Sequence, residues 1–581
     1  MSHNNSFAAR KTRFLNRWQA ARVGRMKAHA VGFVSTPEPR TIGSFARGRQ
    51  LLAGNFLFAG HLLEQKDADL WTLPSPNKDF ALELQGFEWL DDLAAVGDAA
   101  AREVAQKWLH GWIARYGDGR GPGWSPELTG RRVIRWIHHA IFLLRGCDTT
   151  QSDAFFQSLM RQTHFLSRRW SGAPHGLPRF EALTGLVYAS LSLEGLQAMG
   201  TPAVKGLARE CQTQIDDQGG LQSRNPEDLL RVFTLLTWAA AVLSEANYTP
   251  TAEHKNAIER IAPTLRTLRH ADGGLARFHG GGRGAEGWLD HALAESRVKY
   301  RQPEGLSMGY ARLAAGRTTV IVDASAPPSG PASFNAHAST LAFELTSGRR
   351  QLIVNCGSGR TFGPAWRRAG RATPSHSTLS LQGYSSARLG PLDPETGREE
   401  LIEGPRHVPV EIAQALDGLQ FKGGHDGFVP THGLTHARTL EITFDGRGVA
   451  GEDMLLAMTD ADKRRLDLAL DATKLAGIAF DIRFHLHPEV DATIDLGGAA
   501  VSMAPKSGEI WVFRHDGGQK LHIEPSVYLE TGRLKPRAAK QIVLSGRAMS
   551  YATRVRWSLS KAQETAIGVR DLSRDMPDLT E

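Results

Sequence analysis

Cysteine is scarce in this chain. Cys147, Cys211 and Cys356 are the only three in 581 residues, too few and too scattered for a disulfide framework or a zinc knuckle. All three read as buried thiols. Long apolar runs are missing as well: the longest, VFTLLTWAAAVL from Val232 to Leu243, falls short of the roughly 20 residues a membrane-spanning helix needs and reads as a core helix. The basic N-terminus, MSHNNSFAARKTRFLNRWQAARVGRMKAHAV, lacks the uninterrupted apolar core and small-residue cleavage site of a secretory leader. The chain therefore reads as cytoplasmic and without a transmembrane segment. No βαβ pattern appears, which excludes the doubly wound nucleotide-binding folds. The Gly-rich HGGGRG at 279–284 has no strand before it and no Gly-Lys-Ser/Thr after it, so it reads as a loop and not a phosphate cradle.

A hydrophobic content of 41% over this length can bury large cores and suggests several domains. The net charge of +8, with a pI near 9.4, is a modest excess, and no long Lys/Arg run appears beyond the N-terminal segment. Nucleic acid is not the expected partner. The cations are largely arginine, which pairs bidentately with carboxylates and suits an acidic polymer.

The hydrophobic period changes abruptly near residue 300. From about Ala99 to His270, apolar residues recur at helical spacing in segments such as AAAREVAQKWLHGWIARYG and PEDLLRVFTLLTWAAAVLS, broken by Gly, Pro and Asp clusters. Helical hairpins of this kind bury their stripes against one another in a curved or closed array. After Met308 the pattern is alternation over short runs with regular turns, as in TTVIVDAS, RQLIVNCGSG, FDIRFHLHP and KQIVLSG, which favours a large antiparallel sandwich. The expected fold is α+β and multidomain. It comprises a basic N-terminal segment (1–49), an (α/α) toroid of helical hairpins (50–300), a β-sandwich (301–565) and a C-terminal tail (566–581).

The most informative stretch runs from Ser333 to Leu381. SFNAHASTLAFEL, RQLIVNCGSG and PSHSTLSL place Asn335, His337, Asn355 and His376 on or beside consecutive strand-like segments, with Asn335 and His337 two apart and so on one face of a strand. The order of these pieces resembles the C-terminal domain of the heparinase II/III family of polysaccharide lyases, with its His-x-His-x-Asp strand, Asp-Xaa-Gly turn and His-Asn-Thr strand. FLFAGHLL, LQGFEWLDDLAA and WSPELTGRRVIRWIHHA are similar to that family's N-terminal toroid. Together the two resemblances cover most of residues 50 to 560.

The resemblance implies β-elimination beside a uronic acid, which requires a donor to neutralise the carboxylate, a base for the C5 proton and an acid for the leaving O4. It places His337 and His376 at two of the family's histidines, Asn335 at a third and Ser339 at its first aspartate. Asn355 takes the place of its metal-binding aspartate. Zinc is the ion the resemblance offers, on His337 and His376, yet with the carboxylate replaced the expectation is no cofactor. In the toroid, SGAPHGLPRFEALTGL has Pro174 where the family's amide stands and keeps His175, with Arg179 beside it. DDQGGLQSRNPEDLLR has Asp228 where the family's tyrosine stands. Either His175, His337 and Tyr310 have taken over catalysis, with Arg179, Arg224, Asn335 and Arg438 holding the substrate, or elimination has been lost.

Two functions follow from the resemblance. The first is a carbon–oxygen lyase acting on an acidic, uronate-containing polysaccharide or oligosaccharide. The second is a non-catalytic glycan-binding or envelope-assembly protein on the same scaffold. Relatives of this kind usually work in the cell envelope or periplasm, which is the alternative to a cytoplasmic location.

Overall fold

The computed structural model describes residues 2–26, 32–35, 38–66, 68–299, 305–393 and 397–562. Side-chain caps start the toroid helices where the sequence places them. Asp98, Asp148, Asn225 and Thr251 accept backbone N–H groups at the starts of the Ala99–Tyr116, Thr149–Arg169, Pro226–Glu245 and Ala252–Thr267 helices, satisfying donors that have no partner within the helix.

Two kinds of helix result. Leu177–Ser192 is buried at every residue from Phe180 onward, and Pro226–Glu245 is buried along most of its length; helices apolar on all sides belong inside. With Pro126–His138 they form an inner layer, while Ala99–Tyr116, Thr149–Arg169 and Gly200–Gln214 bury one stripe each and wall it from outside. Two inner helices meet glycine to glycine: a Cβ on Gly185 would lie 2.5 Å from the Gly130 Cα. The N-terminal helix, Ser2–Gly24, packs on Thr149–Arg169 and contributes Ala20 and Val23 to the toroid core. Cys211 and Cys356 are buried as expected, but Cys147 is only half-buried at the edge of the helical layer.

The sandwich consists of two large antiparallel sheets. One runs edge to edge through Val410–Gln414, Gly418–Phe428, Leu434–Thr443, Gly448–Leu456, Ala552–Lys561, Trp511–His515, Ala500–Pro505 and Val490–Asp495. The other runs through Lys520–Tyr528, Arg537–Ala548, Ile478–Leu486, Arg350–Val354, Phe343–Ser347, Thr318–Asp323 and Tyr310–Ala315. Between the sheets Phe343 stacks on Trp557 with ring centroids 5.8 Å apart, and Phe484 and Phe513 close around the pair. The strand half is not purely β. Thr459 and Asp462 form a capping box that starts a helix, Asp460–Ala472, whose charge-rich sequence buries only Leu466 and Leu470 among its apolar residues and so leaves little periodic signal. The C-terminal tail expected at 566–581 lies outside the described residues.

The two domains share a core. Tyr310, Ile321 and Ala342, from the start of the sandwich, join the toroid's hydrophobic cluster. This junction carries the motif residues.

Candidate functional site

Asn335 and His337 do not lie on a strand. Gly330, at φ 56°, and Pro331 open a 3₁₀ turn over Gly330–Asn335, and the strand begins only at Phe343. The backbone N–H groups of the intervening residues are used elsewhere: Ala336 donates to Ser333 O, Ala338 to Arg371 O and Leu341 to Asp323 O. His376 likewise follows a turn, Thr373–Ser375, and precedes the short strand Leu379–Leu381. The turns still bring the two histidines together, with His337 Nδ1 3.0 Å from His376 Nε2.

Hydrogen-bond chemistry fixes the tautomers. His376 Nδ1 lies 2.9 Å from the Ala372 carbonyl, which only accepts, so this nitrogen carries the proton and Nε2 accepts from His337 Nδ1–H. His337 Nε2 then carries the lone pair. The backbone N–H of His337 donates to His279 Nδ1 at 3.0 Å, which leaves the proton of His279 on Nε2, 3.4 Å from Asp323 Oδ2. Asp323 also accepts from Ser339 Oγ at 2.7 Å and from Arg224 Nη2 at 2.5 Å. A continuous polar chain therefore links Arg224, at the start of the Pro226–Glu245 helix, to His376 in the sandwich.

This chain is buried. Asp323 and His279 have no exposed surface, and His337 retains 4%. Burial pushes His337 well below the usual imidazole range, reinforced by His376 and His279, and lowers His376 to about 3. Burial alone would raise Asp323, but Arg224, His279 and Ser339 outweigh it and hold its carboxylate far below the usual range. A second interface cluster lies alongside. Glu344 accepts from His270 Nε2 at 3.0 Å and from the Arg277 backbone N–H at 3.1 Å, and the Arg277 guanidinium lies 3.9 Å from the centroid of the Tyr528 ring.

Several residues singled out in the sequence have protein partners of their own. The Tyr310 hydroxyl donates to the Arg224 carbonyl at 2.5 Å in a fully buried site, and burial raises its pKa well above the ordinary phenol range, so it holds its proton there at neutral pH. Arg224 lies 4.8 Å over that ring and donates to the carbonyls of Met308, Gly309, Ser325 and Ala326, which ties the two domains together. Arg438 is bidentate to Asp453 and donates to the Leu341 and Ser377 carbonyls, with its side chain wholly enclosed. Arg179 donates to the carbonyls of Ser171 and Ala173, closing the loop before its own helix, and its Nη1 lies 2.9 Å from the His175 ring and 3.6 Å from Glu210. His175 is exposed, but Glu210 of the Gly200–Gln214 helix holds both its ring and the Gly176 N–H. Its hydrogen bonds stay within the toroid, and none joins it to His337. Asn335 is half-buried, its Oδ1 accepting from Arg367 at 3.4 Å.

The donor set does not fit a resident metal. His337 and His376 turn their facing nitrogens on each other. The Asn355 amide accepts from Ser377 N–H at 3.0 Å and donates to Glu344 at 3.5 Å, and Asp323 is neutralised by Arg224. Among the described residues no group of three His, Cys, Asp or Glu side chains is arranged to hold an ion.

A second polar region gathers around Glu88. Glu88 sits 3.6 to 4.0 Å from Arg131, Arg135 and Arg231; burial would raise it, but the guanidiniums, Arg231 foremost, hold it at about 2. Asp228 stands close by, raised to about 6 by burial against the opposing pull of Arg231. Arg360, from the sandwich, pairs with Asp79 of the helical half at 3.3 Å. Asp323 and His279, the centre of the buried chain, were not singled out from the sequence. His279 sits in the loop set aside as HGGGRG, and its left-handed backbone, φ 45°, is the only local peculiarity that marks it.

The comparisons agree with this architecture. Residues 297–558 match the model of the heparinase II/III-like C-terminal domain. The FtsZ-localized protein C of Caulobacter vibrioides is 30% identical over 547 residues, covering 90% of this chain and 89% of that protein. Among solved structures, heparinase III superposes with a TM-score of 0.67 at 11% identity over 93% of this chain and 88% of that one. A mutant of the heparan sulfate lyase HepC from Pedobacter heparinus does so with a TM-score of 0.56 at 14% identity over 96% and 90%. At such identities the superpositions speak for the fold. The chain belongs to the heparinase II/III-like family.

Proposed function

We propose that this protein keeps the lyase scaffold without the elimination chemistry and acts as a non-catalytic binding and assembly protein. The observation that carries this reading is the state of His337. A general base works best with a pKa near the operating pH and within reach of the proton it takes; His337 is buried, far below that range and hydrogen-bonded into the domain junction. The family's tyrosine and amide positions hold Asp228 and Pro174, and neither replaces them: a proline has no N–H or amide group to neutralise a carboxylate. A relative named for its localization with FtsZ favours an assembly role over polysaccharide breakdown. The arginine cluster of Arg131, Arg135 and Arg231 is where an acidic glycan would be held. The cytoplasmic location read from the sequence stays part of this proposal. No described helix is long and apolar enough to cross a membrane.

The test is to incubate the protein with a panel of uronate polymers and follow the ultraviolet absorbance of unsaturated uronates. The expected result is no rise above buffer. A rise that disappears in His337→Ala or Asp228→Asn would overturn the proposal.

A further inference from the structure

Two arginines of the sandwich share one aromatic ring and lack a counter-charge. Phe334 lies in the Gly330–Asn335 turn. The Arg367 guanidinium, from the Pro364–Gly370 helix, stands 4.2 Å from the centroid of its ring, and that of Arg398, shortly before the Leu401–Glu403 strand, 4.7 Å from it. Segments distant in sequence therefore converge on one spot. Phe334, Arg367 and Arg398 are each half-buried, and the more exposed Arg360 stands beside them, paired with Asp79.

Most of their donors are unused. Arg367 engages only Nη2, on the Phe334 carbonyl at 3.2 Å and Asn335 Oδ1 at 3.4 Å. The Arg398 guanidinium donates no hydrogen bond, and neither arginine forms an ion pair, among the described residues. The surrounding carboxylates are engaged or out of reach: Glu399 pairs with Arg368 and Arg371, Asp79 with Arg360, and Glu127 and Glu400 act on Arg398 from beyond ion-pair distance. Burial depresses the pKa of both arginines, and Arg360 depresses it further at each. Arg131, Arg224 and Arg231 behave oppositely, because carboxylate partners there outweigh burial and raise them. Attraction to the ring offsets only part of the cost of holding two half-buried cations together. An anion between them would offset the rest.

We propose that Arg367 and Arg398, seated on Phe334, form a receptor for a phosphate dianion, either free phosphate or the monoester of a small molecule such as a sugar phosphate, with Arg360 at its edge. Charge selects the ligand. A phosphate monoester carries close to two negative charges at neutral pH and three acceptor oxygens, which matches two uncompensated guanidiniums, whereas a carboxylate supplies one charge. The cluster of Arg131, Arg135 and Arg231 differs in this respect, since Glu88, Glu181 and Asp91 already answer its charges. This inference does not depend on the loss of elimination chemistry.

The test is isothermal titration calorimetry of the full chain with inorganic phosphate, glucose 6-phosphate and glucuronate at matched ionic strength. Both phosphates should bind, and glucuronate about tenfold or more weaker. Arg367→Gln/Arg398→Gln should weaken phosphate binding by about tenfold or more, and Arg398→Gln alone, at a side chain with no hydrogen bond to lose, should act in the same direction. Arg349→Gln/Arg464→Gln, which removes equal charge from exposed positions, should leave binding unchanged. Because Arg367→Gln/Arg398→Gln relieves repulsion, its melting temperature without phosphate should equal or exceed that of wild type, and phosphate should raise the wild-type value but not the variant's. Tighter binding of glucose 6-phosphate marks a phosphorylated sugar as the ligand and tighter binding of inorganic phosphate marks the free ion; either supports the proposal. Absence of binding by both phosphates, undiminished binding by the Arg367→Gln/Arg398→Gln variant, or glucuronate binding as tight as phosphate overturns it.

Discussion

Removing the Asp323 carboxylate should loosen the two domains from each other. Arg224 reaches this side chain from the toroid, and Ser339 and His279 complete its surroundings. In Asp323→Ala the Arg224 guanidinium remains buried among carbonyl groups with no counter-charge, and breaking a buried pair from one side costs about 3–5 kcal/mol. Replacing both partners, as in Arg224→Met/Asp323→Leu, removes the stranded charge and should recover much of that loss. Urea unfolding followed by tryptophan fluorescence, with limited proteolysis at the junction, measures each variant, and the double-mutant cycle isolates the pair. The carboxylate also has a pH signature. Its folded pKa lies below its unfolded value of about 3.9, so its contribution is complete above that value and disappears as pH falls through the folded one. A loss under about 1 kcal/mol in Asp323→Ala, or no coupling between the two sites, would refute the clamp.

Acid should weaken the fold well before the carboxylates titrate. Burial lowers His376 and His487 to about 3 and His254 and His485 to about 4. Stability should therefore be complete above the unfolded value of about 6.5 and fall below it by about 1.4 kcal/mol per pH unit for each such group, which denaturation at a series of pH values reads directly. Gly185→Ala places a methyl group against the backbone of Gly130 and should cost about 1–3 kcal/mol in a thermal melt, with secondary structure retained. Purified protein should hold far less than one zinc per chain, and chelators should leave its melting temperature unchanged; stoichiometric zinc lost in His376→Ala would contradict this.

The fold was legible because period is a backbone property. The helical spacing of PEDLLRVFTLLTWAAAVLS and the alternation of FDIRFHLHP dictate which faces must be buried, and the Pro226–Glu245 helix and Ile478–Leu486 strand lie where those patterns end. The Asp460–Ala472 helix escaped because its stripe is only two buried leucines wide. The site was legible as a neighbourhood and not as chemistry. His337 and His376 do meet, but exposure and partner choice come from long-range packing: Arg438 lies in a strand whose sequence says nothing of Asp453, and the Tyr310 hydroxyl finds the carbonyl of Arg224 from the other domain. Asp323 is unremarkable within TTVIVDAS, and its importance arises from residues 44 to 99 positions away, His279 and Arg224.

The claim that His337 is a fixed part of the domain junction, unable to serve as an acid or base, has a direct physical test. Nitrogen-15 spectra of histidine-labelled protein, with the His337 signals assigned by His337→Asn, follow its ring from about pH 8 to about pH 5, the span over which an ordinary imidazole gains its proton. One neutral tautomer is expected throughout, protonated at Nδ1 and bare at Nε2. A titration with a midpoint near 6.5 would show a ring free to exchange protons with solvent, and would contradict the reading that elimination chemistry has been lost.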